Sequence, residues 1–259
     1  MPSRSPTLFD LTGRTALITG SVRGIGFAFA RGLAQAGARV ILNGRNKAAL
    51  DEAVGKLSGE GLSVLGLQFD VADEAAITGA FKRLDDQNIP VDILINNAGI
   101  QFRKPMVDLA LADWERVLNT NLTAAFLVGR EAARRMLPRG QGGKVINICS
   151  LTSEMARNTV APYTAAKGGL KMLTRSMAVE WGPHNVQTNG IGPGYIATEM
   201  NRALIDDPKF DAWVKASNPA QRWGQPEELV GAAIFLSSAA SNYVNGQIIY
   251  VDGGWLAVL

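Results

Sequence analysis

Thr15-Ala16-Leu17-Ile18-Thr19-Gly20-Ser21-Val22-Arg23-Gly24-Ile25-Gly26 decides the fold. An apolar run that reads as a strand, 15–19, meets three closely spaced glycines, and a helical pattern over 24–36 begins at once. Glycine removes the Cβ where another group must approach the backbone. A helix N-terminus adds free N–H groups and partial positive charge. Strand, glycine turn and helix together make a cradle for a pyrophosphate. The G-x-x-x-G-x-G spacing is not the G-x-G-x-x-G fingerprint, so the context carries the reading, with a second strand following from Arg39.

The same alternation continues to the end of the chain. Further strands are expected over 39–43, 62–68, 91–96, 144–149, 186–191 and 247–251. Helices are expected over 47–58, 73–87, 113–136, 162–181 and 226–238. Strands joined by helices of this length imply right-handed crossovers and a parallel sheet, and continuously apolar strands imply that both its faces are covered. The expected fold class is α/β, a single-domain, doubly wound parallel sheet of about seven strands with helices on both faces. No linker, charge block or repeat marks a second domain. Residues 1–12 read as a flexible lead-in. The long excursion 193–224 reads as a substrate lid, because such segments in compact domains are usually functional.

Composition narrows the chemistry. The chain has 259 residues, 47% apolar and 19% charged, with formal net charge +3 and no basic stripe, so no nucleic-acid partner is expected. One cysteine, Cys149, leaves no internal disulfide or Cys-based zinc site, and one histidine, His184, leaves no multi-His metal site. No metal is expected. No run approaches the ~18 apolar residues of a membrane span, and no targeting segment is read, so the expected location is the cytoplasm.

The end of the second strand selects the nucleotide. A fold that prefers NAD places a carboxylate there for the adenosine ribose. This chain has Asn43-Gly44-Arg45-Asn46-Lys47, with no acid before Asp51. A guanidinium suits a 2′-phosphate through charge-assisted hydrogen bonds, and Arg23 in the glycine turn could reach the same group. NADP(H) is therefore expected in preference to NAD(H).

At the remaining strand ends the chain resembles the short-chain dehydrogenase/reductase family, over roughly residues 8–257. The matching motifs are Thr19-Gly20-x3-Gly24-Ile25-Gly26, Asp70-Val71, Asn96-Asn97-Ala98-Gly99, Asn121, Ser150, Tyr163-x3-Lys167, Pro193-Gly194 and Val251-Asp252-Gly253-Gly254. The resemblance implies a catalytic tetrad of Asn121, Ser150, Tyr163 and Lys167. Together with the readings of the glycine turn and of the second strand's end, it gives cofactor contacts at Gly20, Ser21, Arg23, Gly24, Ile25, Gly26, Asn43, Arg45, Asp70, Val71, Asn97, Ala98 and Gly99. Further contacts would come from Tyr163, Lys167, Pro193, Gly194, Ile196 and Thr198. Homotetramers are implied too, built on the helices at 113–136 and 162–181, which carry Ala124, Ala125, Ala132, Ala133, Ala165, Ala166, Gly168 and Gly169.

The tetrad makes chemical sense. Tyr163 and Lys167, four apart on a helix, share a face. A free phenol has a pKa near 10, and a neighbouring ammonium lowers it by ~1–3 units, toward a usable general base. Ser150 can hold the substrate oxygen. Tyr163 also sits on an apolar stripe with Leu170, Thr174 and Met177, so a core aromatic is the competing reading. An unpaired Lys167 on that stripe speaks against it. The expected reaction interconverts a secondary alcohol and a ketone on a polyol or keto acid, and an aldonate fits. Arg103 could grip its carboxylate, while Ser150, Ser153 and Glu154 face its hydroxyls. The alternatives are a ketoreductase for 3-oxoacyl thioesters or small carbonyls and, more distantly, a non-catalytic nucleotide sensor.

Overall fold

The computed structural model describes residues 8–258. All seven expected strands are present: β1 (Thr15–Ile18), β2 (Arg39–Gly44), β3 (Val64–Gln68), β4 (Ile93–Asn96), β5 (Gly143–Ile148), β6 (Val186–Pro193) and β7 (Ile248–Val251). They form one sheet in the order β3-β2-β1-β4-β5-β6-β7, and every pairing is parallel. The order reverses between β1 and β4. In such sheets a crevice opens at that switch, above the carboxyl ends of the strands.

Side-chain alternation explains why the strands are apolar throughout. On β1, Ala16 and Ile18 point into one core with Phe29 and Leu33 of α1 (Gly24–Gln35) and Leu50 and Leu57 of α2 (Lys47–Gly59). Leu17 points to the opposite face, where Ile77, Phe81 and Leu84 of α3 (Glu74–Asp86) complete a second core. A strand between two helical layers has no polar face to keep. The helices also carry their own start signals. The side chains of Asn46 and Asp73 accept the backbone N–H of Ala49 and Ala76, capping α2 and α3.

Three expectations change. The single helix expected over 113–136 is three pieces: α4 (Leu111–Leu118), a π-helical turn (Asn119–Thr123) and α5 (Ala124–Arg139). The excursion 193–224 contains α7 (Arg202–Ile205) and α8 (Pro208–Ser217), between α6 (Ala161–Trp181) and α9 (Val230–Ser237). Asp207 caps α8 by accepting from Lys209 and Phe210, and Pro208 opens its first turn. Of the lead-in expected over 1–12, residues 1–7 lie outside the described residues. The rest is tied down, because Leu11 is buried and its N–H donates to the Ala36 carbonyl. No helix among the described residues is long and apolar enough to cross a membrane.

Candidate active site

The crevice at the switch point is a cleft of about 1010 Å³. One end is built by the glycine turn. Gly20 and Gly24 adopt φ of +61° and +57°, a region that favours glycine. A Cβ on Gly20 would stand 2.9 Å from the Ala98 Cα, and one on Gly26 would run into the Asn97 amide and the Gly20 carbonyl. The turn is pinned from below. Asn97 Nδ2 donates to the Thr19 and Gly20 carbonyls, while Thr19 Oγ1 accepts from Asn97 N and Ala98 N. Asn43 Oδ1 accepts from Gly20 N, and its Nδ2 donates to the Leu67 and Phe69 carbonyls. Asn43 and Asn97 therefore spend most of their hydrogen bonds bracing the cradle. No side chain caps α1. Its first N–H groups remain available at the cleft, and an uncapped helix N-terminus beside Cβ-free backbone fits a dinucleotide pyrophosphate.

Two arginines stand over this end. Arg45 Nη1 is 3.5 Å from Asp70 Oδ2, and Arg23 Nη1 is 2.7 Å from Glu199 Oε2, both pairs largely exposed. Asp70 also accepts from Ala72 N, which turns the chain after β3. Val71, Gly99, Pro193, Gly194, Ile196 and Thr198 line the same cleft. Ser21 does not. Its hydroxyl donates to the Ile18 carbonyl and accepts from Asn43 N, so it is fully buried beneath the turn.

At the other end, β5 and α6 bring Ser150, Tyr163 and Lys167 together. Lys167 is buried, its Nζ donating to the Ile148 carbonyl at 2.6 Å and lying 5.5 Å from the centre of the Tyr163 ring. Burial lowers its pKa to about 8. Burial raises the Tyr163 phenol to about 12, while hydrogen bonding to Ser150 pulls the other way. The expected lowering of Tyr163 by Lys167 is not what the site shows: removing the phenolate from water dominates, and the groups that pull the other way are Ser150 and Arg103. Asn121 lies in the π-helical turn. Its Nδ2 donates to the Ile100 and Val117 carbonyls, and its Oδ1 is buried without a partner. A Cβ on Gly99 would stand 2.6 Å from that oxygen.

Of the substrate residues read from the sequence, Arg103 and Ser150 line the cleft. Arg103 Nε and Nη2 are buried with no hydrogen-bond partner. Burial pushes its guanidinium below its ordinary value, and the Arg157 charge pushes the same way. Ser153 and Glu154 are corrections. Ser153 Oγ donates to the Lys167 carbonyl and accepts from Ser150 N, and Glu154 pairs with Lys171 and accepts from the Tyr250 hydroxyl at 2.6 Å. Neither lines the cleft. In their place stand Gln101, Thr152, Arg157 and Tyr195, with Gln101 Oε1 and Thr152 Oγ1 also buried and unpartnered. Gln101 was legible as a neighbour of Arg103. Arg157 carried no sequence signal. Among the described residues no cluster of His, Cys, Asp and Glu could hold a metal ion.

A parallel doubly wound sheet with Ser150, Tyr163, Lys167 and Asn121 lining the cleft above its strand ends defines a class, and comparison agrees. A family model described as enoyl-(acyl carrier protein) reductase matches residues 20–256. The chain belongs to the short-chain dehydrogenase/reductase family and is an oxidoreductase. It is 52% identical to gluconate 5-dehydrogenase of Gluconobacter oxydans, over 96% of this chain and 97% of that one. It is 48% identical to 5-keto-D-gluconate 5-reductase of Escherichia coli K12, over 97% and 99%. A gluconate 5-dehydrogenase from Burkholderia cenocepacia, crystallised with NADP and tartrate, superposes with a TM-score of 0.95 at 48% identity, over 97% and 98%.

Proposed function

We propose that the protein is an NADP(H)-dependent oxidoreductase that interconverts D-gluconate and 5-dehydro-D-gluconate. The observation that carries this reading is Arg103, a guanidinium in the cleft wall with two buried N–H groups left without partners. Leaving such donors unpaired is costly, and a carboxylate satisfies them with charge-assisted hydrogen bonds. Gln101 and Thr152 in the same cleft supply polar atoms for a row of hydroxyls.

The residues divide the chemistry between them. The α1 N-terminus and the glycine turn would hold NADP(H), which would supply or accept the hydride. In reduction Tyr163 gives its phenolic proton to the developing alkoxide, and in oxidation it takes that proton back. Ser150 holds the substrate oxygen and stabilises the charge that builds there. Lys167, anchored on the Ile148 carbonyl, places a positive charge beside the Tyr163 ring. The 2′-phosphate falls to Arg45 and Arg23, whose acidic neighbours Asp70 and Glu199 it would replace. Segment 193–224 serves as the lid, and the working assembly is a homotetramer.

The decisive test is Arg103→Ala. Its KM for 5-keto-gluconate should rise about tenfold or more, while reduction of a small uncharged ketone changes little. Equal losses on both substrates, or a wild type inert toward gluconate and 5-keto-gluconate, would remove the aldonate and leave a ketoreductase of another class. For the nucleotide, Arg45→Ala should weaken NADPH by about tenfold and NADH hardly at all, because only NADPH carries the phosphate. Equal weakening of both would show that Arg45 does not read it.

A further inference from the structure

The cleft is unevenly charged. The acids that line it, Asp70 and Glu199, each face an arginine of the nucleotide end, Arg45 and Arg23. The catalytic end carries two more guanidiniums, Arg103 and Arg157, and no acid among its described lining residues. Their loops are joined, since Lys104 N donates to the Thr159 carbonyl at 2.9 Å. Arg157 also reaches the lid. Its Nη1 donates to the Tyr195 hydroxyl at 3.4 Å, and its Cζ lies 5.0 Å from the centre of the Phe210 ring.

Two like charges held together in a partly buried site repel each other, and a single anion between them removes that cost and satisfies both. We propose that Arg157 is a second carboxylate-binding residue, which together with Arg103 clamps one carboxylate of a polyhydroxy acid between the Ser150–Tyr163 end of the cleft and the lid. The inference rests on the polyhydroxy-acid reading of the site and adds to it the residue that makes the anion preference strict. One guanidinium would attract a carboxylate. Two, the second of them seated against Tyr195 and Phe210, tie anion binding to the packing of the lid, so that an acid orders the site where a neutral ketone leaves the pair unpaired. A long-chain thioester has no charge to place there.

The test uses the full-length enzyme and the variants Arg157→Gln and Arg157→Lys. Arg157→Gln should raise the KM for 5-keto-gluconate about tenfold with kcat and NADPH affinity close to wild type, and Arg157→Lys should recover part of the loss. Reduction of a small uncharged ketone should stay unchanged in both. The same variants are then assayed for inhibition of ketone reduction by gluconate, galactonate and glycerate, a readout that needs no aldonate turnover. If 5-keto-gluconate proves inert but inhibition by one of these acids is lost in Arg157→Gln, the clamp stands and only the choice of gluconate fails. If every substrate suffers alike, Arg157 merely packs the lid through Phe210 and Tyr195, and the proposal is overturned. Carboxylate inhibition that is indifferent to Arg157 overturns it equally.

Discussion

Tyr163 shows how far a single residue's setting departs from its free chemistry. With its phenol raised to about 12 by burial, Tyr163 keeps its proton across the neutral range and is ready as an acid for reduction. Oxidation needs the phenolate, whose population grows with pH. Lys167, lowered to about 8, loses above that pH the charge that favours the phenolate. The kcat/KM for alcohol oxidation should therefore rise with pH and bend over above about pH 8, while ketone reduction, which uses the protonated phenol, should vary far less across the same range. An oxidation profile that peaks in acid would contradict these assignments. Tyr163→Phe should cut turnover by about 10²–10⁴-fold or more with nucleotide affinity retained, since only the proton carrier is lost. Substantial residual activity would remove Tyr163 from the mechanism. At this scale the sequence revealed which backbone positions matter but not where every side chain points. Leu151–Ser153 is a 3₁₀ turn, in which successive side chains rotate by about 120°. Thr152 lines the cleft, while the Ser153 hydroxyl goes to the Lys167 carbonyl and the Glu154 carboxylate to Lys171 and Tyr250, and no spacing in the sequence records those contacts.

Among the elements, the strands were the legible part, because burial on both faces writes itself as unbroken apolar runs. The segment around Asn121 was not. A hydrophobic stripe drawn over 113–136 runs through the π-helical turn without a break, since one wide turn barely disturbs a 3.6-residue period. The turn has a function in the structure: it carries Asn121 inward, where its amide ties the Val117 carbonyl of α4 to the Ile100 carbonyl after β4. Asn121→Ala would remove the donor to both carbonyls, and should cost about 1–3 kcal/mol of stability together with much of the activity. Urea unfolding of the variant measures the first, and unchanged stability would mean that the π-helical turn holds without this side chain. The helices of segment 193–224 were missed for a different reason. Asp207-Pro208 is a helix start on its own terms, a capping acid followed by proline in the first turn. The excursion was read by its length alone, and its aromatics pack together, with Tyr195 touching the Phe210, Trp213, Trp223 and Trp255 rings.

For the whole molecule the open matter is assembly, and the small residues on the helices divide into two sets. Ala124, Ala125, Ala132, Ala133 and Ala166 are buried within this chain, and a Cβ on Gly169 would press on Leu122 at 2.9 Å. The protein's own packing already accounts for those. Gly168 is different, since a Cβ there would meet nothing, and Ala165 beside it is exposed. The outward sides of α4, α5 and α6 also carry large apolar side chains in water: Leu111, Phe126, Met172 and Val179, the last of these 77% exposed. Small residues at open positions beside exposed apolar ones suit a helix face that meets its own copy across a two-fold axis. A homotetramer is expected in sedimentation at micromolar concentration. Val179→Asp should shift it to smaller species while leaving the thermal stability of the separated chain nearly unchanged, since a surface substitution costs within about 0.5 kcal/mol when nothing in its own chain depends on it. A wild type that sediments as a stable monomer would show that these faces stay in water, and a tetramer that survives Val179→Asp would place the contacts on other helices.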